Sequence, residues 1–303
     1  MVYANRYLWQ TQARDHQLEK PMCRWLAWSG PEIYMDTLLL RPKYSLLMQS
    51  RFARQNYVTG MPDFPDGAFP TNGDGFGFGW YGDKPEPGLY RELRPAWSDE
   101  NFASLARNLK SRLFMAHLRA AYDGIVQRTN SHPFAHGRFL FQHNGEVMGF
   151  ASMRRELMLE IDPQYFNCVH GTTDSEVCFF LALTLGMDGD VKTGLERMTG
   201  RIERARSEHG IDGPFRLTCA VADGEALYAV RYSSDNRSKT LYINDGPKAL
   251  QRMVERDRQT LAKGHLILSE PLDDCDADWQ LLDESSFVEV RGDQINVSAF
   301  RPQ

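Results

Sequence analysis

The 303-residue chain has little that would tie it to a membrane, to nucleic acid or to an oxidising compartment. Its longest strongly apolar run, Cys178 to Met187, is about half of the roughly 20 residues a spanning helix needs, so no membrane span is expected. Basic residues are not in excess. Thirty-five Lys and Arg against 40 Asp and Glu give a formal net charge of −5, which argues against the cationic face of a nucleic-acid binder. The five cysteines, Cys23, Cys168, Cys178, Cys219 and Cys275, are odd in number and form no C-x-x-C pair, so a reducing, cytoplasmic setting is expected. The first 21 residues hold no apolar core and no small-residue cleavage signature, and do not read as a secretory signal. No repeat, low-complexity tract or linker divides the chain. Hydrophobic residues at 42% and charged residues at 25% then suit one mixed α and β domain.

The folded part is expected to begin at Cys23. Residues 1 to 22 look like an appendage, whereas Met22 to Ser29 is a dense apolar run of strand-like composition, closed by Gly30-Pro31. Residues 60 to 90, rich in Gly, Pro, Asp and aromatics, predict a long ordered loop holding at most one strand near Phe76 to Tyr81. Ser98 is placed to cap a helix whose apolar positions are Phe102, Leu105, Leu109 and Leu113. Strands are predicted at Leu113 to Leu118 and Arg138 to His143, leaving Arg119 and Asn144 just beyond strand ends. Thr173-Asp-Ser-Glu176 has the form of a capping box, with Asp174 in the first turn of a helix running through Val177 to Leu185. A second helix covers roughly 190 to 208. Strands follow at Phe215 to Ala222, Ala226 to Tyr232, Lys239 to Ile243 and His265 to Leu268, with a final hairpin around Arg291-Gly292-Asp293.

A cysteine opening a domain can use its own α-amino group as proton shuttle, because a free amine with a pKa near 7.7 to 8.0 is poised at working pH. That requires Cys23 to be freed of what precedes it. Met22 is a natural initiator for removal before a small residue, and a propeptide cut between Met22 and Cys23 is the other route. Against this stands a buried, inert strand cysteine. Attack on an amide carbonyl needs donors for the oxyanion, and Asn144 (carboxamide) and Gly145 (backbone N–H, no Cβ in the way of substrate) are candidates, the alternative being a plain Asn-Gly turn. A zwitterionic head group needs two opposite charges at fixed places. Arg119 can grip a carboxylate with its planar fork and Asp174 can pair with an ammonium, or they are a solvated strand end and a helix-dipole acid. The Gly73-x-Gly75-x-Gly77-x-Gly79 run has the wrong spacing for dinucleotide binding. His132, His136, His143 and His170 lack metal-ligand spacing, so structural hydrogen bonding is expected of them and neither metal nor other cofactor is.

Together these residues resemble the class II glutamine amidotransferase family, in its stand-alone branch without a fused synthetase. The matching pieces are Met-Cys-Arg at 22 to 24, the Asn72 to Gly82 loop, Ala-His-Leu-Arg at 116 to 119, Asn130-Ser-His-Pro-Phe134, Phe141-Gln-His-Asn-Gly145 and Gly171-Thr-Thr-Asp-Ser-Glu176. The resemblance implies an α+β fold, a four-layer αββα sandwich of the N-terminal-nucleophile hydrolase type. It implies Cys23 as nucleophile, Asn144 and Gly145 as oxyanion donors, and Arg119 and Asp174 as the clamps for the α-carboxylate and α-ammonium. Arg24 would help shape the pocket. Residues 1–22 would be an extension or mis-assigned start absent from the mature protein, with a single domain at 23–303. Tyr122-Asp123 depart from the Thr-His pair of the larger synthases, which touches the substrate question.

Three functions are expected to compete. One is a glutamine amidohydrolase that releases ammonia through a Cys thioester for a separate acceptor enzyme. Another is a hydrolase of a larger γ-glutamyl conjugate. The last is a non-catalytic binding protein that keeps its N-terminal extension. The first two take a small-molecule substrate.

Overall fold

Period-two burial along the strands determines the layering. In β1 (Arg24–Tyr34), Trp25 and Ala27 face one way and Leu26 and Trp28 the other, and all four are buried. A strand apolar on both faces must lie between two other layers. The computed structural model describes residues 23–55, 71–121, 125–253 and 261–303. Here β1 sits centrally in a seven-stranded sheet, order β11-β9-β10-β1-β4-β2-β3, with β2 (Phe76–Trp80), β3 (Gly88–Glu92), β4 (Lys110–Leu118), β9 (Tyr242–Asn244), β10 (His265–Leu268) and β11 (Trp279–Leu281). A six-stranded sheet, order β13-β12-β8-β7-β6-β5, is made from β5 (Phe134–His136), β6 (Phe139–Val147), β7 (Phe215–Ala222), β8 (Ala226–Ser233), β12 (Ser286–Arg291) and β13 (Gln294–Ala299).

Three apolar layers hold these sheets. Between them lie Trp25, Met115, Leu140, Ala220, Leu227 and Val288. On the outside of the first sheet, α1 (Asp36–Leu39), α2 (Leu46–Arg51), α3 (Glu100–Asn108) and α8 (Lys248–Arg252) cover Trp28, Phe78 and Phe114. On the outside of the second, α4 (Phe150–Leu159), α6 (Asp174–Ala182) and α7 (Val191–Glu208) cover Phe141, Cys219 and Val221, with the short α5 (Pro163–Phe166) nearby. Each fully buried Leu or Phe contributes about 1.5–3 kcal/mol, so these layers dominate stability. The result is the four-layer αββα sandwich, α+β in class.

Several local expectations are corrected. Gly30-Pro31 does not end β1: the pairing with β4 shifts register between Ser29 and Ile33, and the Trp28 indole N–H donates to the Pro31 carbonyl at 3.2 Å. The cap of α3 is Asp99, whose carboxylate accepts the Phe102 N–H at 2.9 Å, while Ser98 belongs to a preceding 3-10 turn. That helix stops at Asn108, because Leu113 is needed in β4. Thr173 caps α6, but Glu176 does not complete the box: its carboxylate turns back to the N–H groups of His170 and Gly171. The strand at 138–143 runs on to Val147, so Asn144 and Gly145 lie inside β6 and no Asn-Gly turn forms. The strand expected near Phe76 to Tyr81 is β2, with Phe76 and Phe78 in the outer core and Gly77 and Gly79 turned toward the other sheet, but a second strand, β3, starts at Gly88. A Cβ on Gly77 would come within 2.4 Å of the His132 carbonyl. Residues 1–22 and the Tyr122-Asp123 pair lie outside the described residues.

Candidate functional site

Strand parity decides which side chains can meet. Cys23 precedes β1 and shares the parity of Trp25 and Ala27, the face turned to the second sheet. Arg119 directly follows β4 and shares the parity of Leu113 and Met115, the same inner face. The β1–β4 register, Arg24 opposite Leu118, brings Cys23 alongside residues 119 and 120. Its sulfur lies 3.8 Å from the Ala120 carbonyl oxygen. Across the gap, Asn144 shares the parity of Leu140 on the inner face of β6 and is 3% exposed.

Each candidate is held by a specific set of bonds. Arg119 is buried, its backbone N–H donates to Gly75 O at 2.8 Å, and its guanidinium reaches the Asp74 carbonyl at 3.4 Å. The Asp74 carboxylate accepts the Ala121 N–H at 2.9 Å, tying the same two segments together. Asp174, first residue of α6, accepts the Val147 N–H at 2.8 Å and the Ser175 N–H at 2.7 Å. The end of β6 and the start of α6 are therefore fixed to each other at the acid. Gly145 is required for a reason other than substrate access: a Cβ there would lie 1.9 Å from the Arg216 carbonyl and 2.4 Å from the His143 ring.

Arg24, expected to help shape the pocket beside Cys23, is buried and held by several bonds. Its side chain, 1% exposed, pairs with Glu270 at 3.1 Å and donates to the carbonyls of Cys23 and Gln55. Glu270 in turn accepts the N–H groups of Arg54 and Gln55. Arg24 is thus a brace that fixes the 53–55 segment against Cys23.

Three histidines lie in this region, and of the two expected to serve in structural hydrogen bonding His143 does so, while the His132 ring has no such bond among the described residues. His143 bonds to the Ser175 hydroxyl at 2.9 Å and the Arg216 carbonyl at 3.0 Å. His117, on the inner face of β4, meets the His143 carbonyl at 3.1 Å and so fastens one sheet to the other beside Asn144. His132 stacks on His117 with centroids 4.2 Å apart, and neither of its ring nitrogens has a hydrogen-bond partner among the described residues. Burial holds all three below the ordinary imidazole value, His117 to about 3. They are neutral at working pH. Burial likewise pushes the Cys23 thiol up, against the Ala120 hydrogen bond and the pull of Arg119 and Arg24, so a base must assist its deprotonation.

Asp74, His117, Thr218 and Asn130 were not singled out by type. Asp74, His117 and Asn130 lie within the quoted motifs, which was their one signal, and Thr218 lies in none. Among the described residues no group of three or more metal-capable side chains occurs. A polar groove of about 650 Å³ opens near Arg138, Asp223 and Arg291, beside the opposite end of β6 from Asn144, and holds none of these residues. No helix among the described residues is long and apolar enough to cross a membrane.

The family model described as glutamine amidotransferases class-II matches residues 64–300. A probable glutamine amidotransferase, DUG3, of Saccharomyces cerevisiae is 29% identical over 304 residues, 89% of this chain and 82% of that protein. A gamma-glutamyl-hercynylcysteine sulfoxide hydrolase of Mycolicibacterium smegmatis is 28% identical over 278 residues, 91% of this chain and 99% of that one. A solved structure of a glutamine aminotransferase class-II domain protein from Silicibacter pomeroyi superposes with a TM-score of 0.68 at 31% identity, covering 92% of this chain and 100% of the other. The glutamine phosphoribosylpyrophosphate amidotransferase of B. subtilis shares the fold, with a TM-score of 0.59 at 12% identity over 93% of this chain and 50% of that one.

Proposed function

The chain belongs to the class-II glutamine amidotransferases, and from that premise we propose that it hydrolyses γ-glutamyl amides with Cys23 as nucleophile. The observation that supports this reading is that Cys23 and Arg119 share the inner-face parity of one sheet and Asn144 that of the facing one, with His117 joining the two sheets at the His143 carbonyl. In the mature enzyme residues 1–22 are absent and the Cys23 amine is free.

The steps then follow from the groups present. Arg119 holds the substrate α-carboxylate and Asp174 the α-ammonium, which sets the γ-amide over the sulfur. The α-amine of Cys23 takes the thiol proton, and the thiolate attacks the amide carbon. The oxyanion is met by the Asn144 carboxamide and the Gly145 N–H. The proton passes to the leaving nitrogen, ammonia or an amine departs, and a γ-glutamyl thioester remains on Cys23. Water, deprotonated by the same amine, releases glutamate and restores the thiol.

With glutamine as substrate the ammonia would pass to a separate acceptor enzyme. A second reading, in which the leaving group is larger, is favoured by the match to 99% of the length of the mycobacterial hydrolase. Expression from Met22, mass-spectrometric proof of N-terminal Cys23, and assay of glutamine beside a panel of γ-glutamyl conjugates separates the two. Cys23→Ala is expected to abolish turnover, and Asn144→Ala to lower it about 100- to 1,000-fold. A protein that keeps residues 1–22 and turns over equally fast would refute the mechanism.

A further inference from the structure

Building on that reading, we infer that Thr218 is a positioning residue that strengthens Gly145 as an oxyanion donor. Thr218 stands directly opposite Asn144 in the β6–β7 ladder and is 1% exposed. Its hydroxyl donates to the Asn144 carbonyl oxygen at 2.5 Å. That oxygen and the Gly145 N–H are the two ends of one peptide group. A bond accepted at the oxygen draws electron density from the nitrogen and sharpens the N–H as a donor, a polarisation of roughly 10–30% per linked bond.

The direction of the Gly145 N–H follows from the strand. In an antiparallel ladder the backbone polar groups of residues two apart point to the same side. The His143 carbonyl points away from β7 and is met by His117 from the other sheet. Gly145 therefore aims its N–H to that same side. There β5 pairs with Phe139, Leu140 and Phe141, so among the described residues no strand of this sheet covers the edge at Gly145. Packing alone does not call for a hydroxyl at 218: the neighbouring inner-face positions on β7 are Ala220 and Ala222.

The test uses the enzyme with free Cys23 and compares Thr218→Val, which keeps the shape, with Thr218→Ser, which keeps the hydroxyl. Thr218→Val is expected to lower kcat about tenfold, the equivalent of about 1.4 kcal/mol, with KM for the γ-glutamyl substrate within about twofold. Thr218→Ser is expected to restore kcat to within about threefold of the parent. Labelling Asn at its carbonyl carbon and Gly at its nitrogen reports two peptide groups in this sequence, Asn72–Gly73 and Asn144–Gly145. Thr218→Val should move the second signal and leave the first. Undiminished kcat in Thr218→Val, equal losses in both variants, or an unmoved Asn144–Gly145 signal overturns the proposal. A parent no more active than Cys23→Ala instead defeats the underlying function, and this proposal falls with it.

Discussion

His132 is packed among rings, with the Phe134 ring edge-on at 4.6 Å and the His117 ring at 4.2 Å, yet it carries two buried nitrogens without hydrogen-bond partners among the described residues. Such a group resists protonation in the fold but accepts a proton readily once unfolded. Between the ordinary imidazole value of 6.5 and its lowered folded value, the unfolded chain binds more protons. Stability present above pH 6.5 is therefore lost as the pH falls, and His117 and His143 act in the same sense. His132→Phe removes one of these groups and two unsatisfied nitrogens. Thermal unfolding should give the variant a higher Tm than the parent at pH 5 and a smaller difference at pH 8. Equal acid sensitivity in both proteins would contradict this. At this scale the sequence was informative about Cys23 and Arg119, since strand ends are marked by composition. It could not reveal what His117 meets across the gap between sheets, or what Thr218 meets on the neighbouring strand.

The short turn before α6 owes its position to a partner 42 residues upstream. Asn130 accepts the Thr172 N–H at 2.8 Å and donates to the Ile125 carbonyl at 2.9 Å and the Thr172 hydroxyl at 3.0 Å. Glu176 secures the same turn from the other side through His170 and Gly171. Asp174 therefore starts its helix in a fixed place. Asn130→Ala is expected to raise KM for a γ-glutamyl substrate about tenfold with a smaller change in kcat, measured by steady-state kinetics, because the loss falls on the proposed ammonium clamp. Elements were legible where one rule governed them. β7 and β10 were read to the residue and α7 to within one at its start, because their apolar period is uninterrupted. The box at Thr173 was half right, since Glu176 had a better use for its carboxylate than the cap. In the glycine-rich stretch after residue 60 the strand near Phe76 was legible, whereas β3, which pairs with it from Gly88, was not.

For the molecule as a whole, the two sheets must approach closely at the end that carries Cys23. Gly77 makes room for the 131–133 segment, and a Cβ there would also lie 2.7 Å from the Tyr90 carbonyl. Both neighbours are backbone and cannot rotate away. Gly77→Ala is expected to cost about 1–3 kcal/mol in chemical denaturation. An unchanged midpoint would mean the sheets part without strain. The αββα layering was implied by the resemblance rather than by periodicity, because an apolar run says that a strand is buried and not which layers enclose it.

β5 pairs with β6 no farther than Phe141, and beyond it the His143 carbonyl is met by the His117 ring of the other sheet. Among the described residues the following place on that edge, at Gly145, faces no strand. In the proposed reaction the scissile carbonyl occupies it, and the substrate is received as a missing stretch of sheet, by a donor the protein never had to invent for catalysis.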